Sequence, residues 1–109
     1  MTNLESKNNF ENEVLNNVTQ IIRESRHAGI NNWGERNLDE ISNFLLVANI
    51  NLFFVNDVNE FLHKTMLDLM DKLKFEIIPT AKEHAETAPN TYKTIVSVYD
   101  VIKEWYFEN

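Results

Sequence analysis

FLLVANINLFFV, residues 44–55, is the stretch on which the fold turns. A short unbroken apolar run suits a buried strand or a buried piece of helix, and NLFFV at its end has strand composition. Its neighbours favour the helix. Just upstream, Asn37-Leu-Asp-Glu40 reads as a helix start. Asn is a favoured N-cap, and Glu three residues later completes a capping box. The flanking segments repeat their apolar residues every three or four positions. The chain also holds only two glycines, few for the turns of a sheet. A second helix is therefore predicted from Leu38 to about Val55. Its apolar residues point in every direction between Phe44 and Val55, so it is expected to be buried on most sides. Asn49 and Asn51 would then need partners, because an unpaired buried amide is costly. Twelve residues with two asparagines are too short and too polar to span a bilayer.

Working outward, Phe10, Val14, Val18, Ile21, Ile22 and Ser25 mark one face of a first helix from about Asn9 to His27. Gly29 follows it where a C′ glycine belongs. Residues 1–8 precede the pattern and are expected to be disordered. Asp57 with Glu60 gives another capping signal. Behind it Val58, Phe61, Leu62, Thr65, Met66, Leu69 and Leu73 form a clean stripe. The third helix is predicted over 58–77, with Pro79 ending or kinking it. Thr80-Ala-Lys-Glu83 is a candidate start for a short extra helix near 80–88, closed by Ala88-Pro89-Asn90. The last helix is predicted over 91–107, on Tyr92, Ile95, Val96, Tyr99, Ile102 and Tyr106. The fold class is all-α. Residues 1–109 form a single domain, an antiparallel bundle of four long helices with short connections.

The charge narrows the partners. The net charge is −7 and the sequence pI about 4.8. Binding a nucleic-acid backbone requires clustered Lys and Arg, so no direct nucleic-acid backbone binding is expected. An acidic surface suits solubility or a basic partner. There is no cysteine, which removes disulfides and cysteine zinc sites and fits a reducing compartment. The start, MTNLESKNN, lacks the basic and apolar regions of a secretion signal. A cytoplasmic, non-membrane protein is expected, and the Asn- and Ile-rich composition would fit a bacterial or phage source.

Glu24-Ser-Arg-His27 and Glu60-Phe-Leu-His63 are both Glu-x-x-His, the pattern that holds two metal ions inside some four-helix bundles. Helical phase tests it. At 100° per residue, Glu60 and His63 lie roughly 175° and 125° from the centre of their stripe, and Glu24 and His27 roughly 95° and 155°. All four should face outward or sideways, so no metal is expected. No Gly-x-Ser-x-Gly elbow occurs, nor a glycine-rich phosphate loop. No carboxylate sits alone on an apolar face. The chain is expected to be no enzyme, with no catalytic residues and no cofactor.

Two regions remain as candidate sites. RHAGINNWGERN, residues 26–37, gathers both glycines, Trp33, His27, Arg26 and Arg36, with Arg23 just upstream. In one reading Gly29 and Gly34 shape a connection that Ile30 and Trp33 cap, while the arginines complement a helix C-terminus. In the other, Trp33 is a stacking face beside Arg23, Arg26, His27 and Arg36. That set would bind an anionic small molecule or a protein. The last helix carries a second stripe, Val98, Val101 and Trp105, roughly 100° from its first. It reads either as the mark of a central position or as a self- or partner-interface, the latter making a homodimer. The leading expectation is a small acidic interaction protein, of the kind that inhibits or gives immunity by covering a basic surface of a protein partner. The alternative is a binder of a nucleotide or other phosphorylated small molecule at 23–36, across a dimer interface.

Overall fold

A computed structural model describes residues 2–108. Among these residues the chain forms four helical rods and no strand. The first rod, α1, joins Asn3–Asn9, a π-helical stretch Phe10–Leu15, and Asn16–Ala28. Next comes α2, Asn32–Asn51. A second composite rod, α3, joins Val58–Lys72, a π-helical stretch Leu73–Ile77, and Ile78–Glu83. The last, α4, is Pro89–Glu108. Short connections make successive rods antiparallel, in a body 44 × 26 × 21 Å across.

Several helix ends differ from the sequence expectation. α1 starts at Asn3, so the stretch 1–8 expected to be disordered is helical from Asn3 on, and Met1 lies outside the described residues. Thr2 Oγ1 caps it by accepting the Glu5 N–H at 3.1 Å. The buried Ser6 hydroxyl donates to Asn59 on α3. The apolar spacing misses this turn because polar contacts hold it. The N-cap of α2 is Asn31, not Asn37: its Oδ1 accepts the Gly34 N–H at 2.8 Å. Asn37 lies inside the helix and its amide donates to the Trp33 carbonyl at 2.9 Å. At the other end α2 stops at Asn51, and Leu52–Phe54 form a tight turn, with Phe54 N–H on the Asn51 carbonyl at 2.9 Å. The start of α3 is as predicted, with Asp57 Oδ1 accepting from Glu60 N–H at 3.1 Å.

Pro79 does not end α3, and the short helix expected near 80–88 is only the close of this rod, followed by a turn over 84–87. Proline breaks an ordinary α ladder. Here it follows the π-helical stretch by one residue, in the first turn of resumed α-helix, where a missing N–H is tolerated.

The π turns also keep the buried faces aligned. In α1 the most deeply buried residues before and within the π stretch are Ser6, Phe10 and Val14, with Leu15 buried at its end; those after it are Val18, Ile22 and Ser25. At 100° per residue an unbroken α-helix would place the second set roughly 85° around from the first. One extra residue in a widened turn takes back about 100° and returns both sets to one face.

α4 is central and packs against α1, α2 and α3. Ile95, Val98, Ile102 and Trp105 lie in the core, with the Trp105 ring edge-on to Phe10 at 6.1 Å between centroids. The proposed interface of Val98, Val101 and Trp105 is therefore corrected: Val98 and Trp105 are buried and Val101 is half-buried. A helix enclosed by three others needs two apolar stripes.

Candidate functional site

Within the 23–36 region, Gly29, Asn31 and Trp33 are taken up in holding one end of the bundle together. Gly29, at φ 88°, turns the chain out of α1, and only residues 29–31 separate α1 from α2. Asn31 is the hub. Its N–H donates to Thr91 Oγ1 at 3.1 Å, its Oδ1 caps α2, and its side-chain Nδ2 lies 3.3 Å from His84 Nδ1. Asn90 Nδ2 donates to the Ala28 carbonyl at 2.7 Å, satisfying the end of α1. Trp33 is half-buried and stacks on His84, with centroids 4.9 Å apart and planes 12° from parallel. One ring face is thus already occupied.

The cations lie elsewhere. Arg26 pairs with Asp39 at 2.5 Å, between two half-exposed side chains. Arg23 is exposed in a polar hollow with Asn16, Thr19, Gln20 and Glu24. His27 and Arg36 are exposed. The cations found over aromatic rings among the described residues are Lys7 over Phe53 and Lys74 over Phe75, not an arginine over Trp33. His84, which stacks on Trp33, and Thr91, which bonds Asn31, come from separate segments and carry no local motif.

Glu24, His27, Glu60 and His63 are all exposed, in the direction their phase gives, and His63 rests on the Tyr106 ring at 5.2 Å. Among the described residues no three His, Asp or Glu side chains are grouped to hold a metal ion.

The surface that sequence reasoning misplaced belongs to α2. Its core side is complete with Leu38, Ile41, Leu45 and Ala48, continued by Leu52. The opposite side is also apolar but open to solvent: Phe44, Leu46, Val47 (56% exposed), Ile50 (58%), and in the following turn Phe53 (72%) and Phe54 (81%). The expected burial of α2 on most sides is therefore corrected, and Asn51 is exposed rather than buried. The surplus apolar surface expected on the last helix lies here instead. α2 makes little contact with α3, which leaves a groove lined by Phe44, Val47 and Asn51 on one wall and Phe61, Thr65 and Asp68 on the other. A signal was available in the sequence. Leu38, Ile41, Leu45, Ala48 and Leu52 already make one full stripe, so Val47, Ile50 and Phe54, spaced i, i+3, i+7, form a second on the far side.

No protein-family model, curated protein or solved structure matches the chain. No helix among the described residues is long and apolar enough to cross a membrane.

Proposed function

We propose that this is a small acidic, non-catalytic interaction protein of the cytoplasm, which acts by association and covers a surface of a protein partner, as inhibitors and immunity-type proteins do. The observation that carries this reading is the solvent-facing apolar side of α2 with its Phe53-Phe54 turn. Single exposed apolar residues are ordinary, but a contiguous group of six marks an association surface. Outside this face the acidic surplus, −7 in all, favours a basic partner and speeds encounter with it.

The alternative, capture of a nucleotide or other anionic small molecule at 23–36, has less support. His84 occupies one face of Trp33 and Asp39 engages Arg26. Native mass spectrometry of gently purified protein separates the two. The interaction reading expects additional protein mass, lost on Ile50→Asp and kept on Arg36→Ala. An adduct of nucleotide mass, lost on Arg36→Ala and kept on Ile50→Asp, would replace it with the alternative.

A further inference from the structure

We infer that the occupant of the outer face of α2 is a second copy of this chain, in a two-fold dimer centred on Val47 and Ile50. This rests on reading that face as an association surface. Three observations identify the occupant.

The first is charge. From Ile41 to Asn56 the chain has 16 consecutive residues without a charged side chain, in a protein that is one-quarter charged. A face built for a basic partner would carry carboxylates among its apolar residues. A self-contact disfavours them near its centre, because groups on a two-fold axis meet their own copies and unpaired carboxylates there would repel. The neutral stretch is where two chains of net charge −7 can touch without opposing charges of the same sign.

The second is area. The exposed fractions of Phe44, Leu46, Val47, Ile50, Phe53 and Phe54 correspond to roughly 600 Å² per copy, taking a large side chain at about 150–250 Å². Two copies would bury up to about 1,200 Å², the lower end of the range of a specific complex.

The third is pattern. Asn43, Val47 and Ile50 are spaced i, i+4, i+7 on α2 and fall within about 60° of one another, with the Phe53-Phe54 turn following the helix end. This is the seam along which two helices pair. Phe44 and Asn51 flank it on one side and Leu46 on the other. The amides of Asn43 and Asn51, both exposed, stand where a mate's amides would meet them across the axis.

The test combines two measurements on the full-length chain. Light scattering after gel filtration, over a dilution series, should give a dimer mass for the wild type. Ile50→Asp should weaken the dimer about a hundredfold or more, because a carboxylate would be buried at its centre. Its circular dichroism should stay unchanged, because residue 50 is exposed in the single chain. A wild type that stays monomeric at high concentration, or a dimer indifferent to Ile50→Asp, overturns the proposal. A photo-crosslinking amino acid at Phe54, activated in the cells that make the protein, then shows which reading has failed. Crosslinks between two copies support the second copy. Crosslinks only to a different protein overturn it and leave the association reading standing. No crosslink at all removes both.

Discussion

Gly34→Ala should cost stability, against the usual preference of a helix for alanine. Inside a helix the change ordinarily gains about 0.5–1 kcal/mol. At this position a Cβ would run into Thr91 Cγ2 and lie 2.9 Å from Thr91 Oγ1. Thr91 cannot easily turn away, because its hydroxyl is held by Asn31 from the next segment and the residue is fully buried. Overpacking of this kind costs about 1–3 kcal/mol, so the net loss should be about 1–2 kcal/mol in urea unfolding. Thr91→Ser removes the opposing methyl, keeps the hydroxyl, and should restore most of it. Gly29→Ala should also destabilise, by about 1 kcal/mol, for a different reason. Nothing lies near its missing Cβ, but φ of 88° disfavours any L side chain. Thr91→Ser should not rescue that change. Equal rescue of both variants, or no loss in Gly34→Ala, would show that close approach to Thr91 does not set the spacing of α2 and α4.

At the scale of whole elements, α1 offers a test of why its helix widens. If the π turn holds the extra residue that realigns the buried stripe, deletion of the exposed Asn12 from that turn should give a plain α-helix with Ser6, Phe10, Val18, Ile22 and Ser25 still on one side. The loss should be small, about 1 kcal/mol. Deleting the equally exposed Asn17, in ordinary α-helix, leaves the π turn in place and rotates everything after it by about 100°. That variant should not fold cooperatively, as thermal melting would show. Comparable melts for both deletions would mean that the turn has no role in register. This alignment also explains what the sequence made legible. The apolar spacing located all four helices, because burial repeats every turn whether or not a turn is widened. It did not reveal the two π turns, whose signature is a slow drift in phase. It mistook Asn37 for the cap of α2, since Asn37-Leu-Asp-Glu40 has good local chemistry while Asn31 is selected by Thr91 and His84, some sixty and fifty positions away. It also sent the apolar surplus to the wrong helix. Two stripes on α4 and two on α2 look alike until packing places α4 between its neighbours and α2 at the edge. The candidate site at 23–36 was legible as an unusual composition, but the partners of Trp33 and Arg26 were not, because His84 and Asp39 become neighbours only on folding.

At the scale of the molecule, an acidic body with one neutral apolar face makes the salt dependence of assembly diagnostic of the occupant. Two copies, each at −7, repel at every separation. The short axes of 26 and 21 Å bring their centres to about that spacing when α2 meets α2. The Debye length is about 30 Å at 0.01 M salt and about 10 Å at 0.1 M. Over that interval the repulsion passes from felt across the whole dimer to largely screened, while the α2 face from Ile41 to Asn56 contributes no charge to the contact and only Lys7, over Phe53, stands at its edge. Self-association should therefore tighten with added salt, on the order of tenfold from 0.01 to 0.1 M, as sedimentation equilibrium would measure. A basic partner held by the acidic faces would respond with the opposite sign, since there screening removes attraction. If self-association instead weakened across this range, the contact would have to be made by opposite charges. Arg23, Arg36 and the carboxylates around them, rather than the face of α2, would then be the place to look for it.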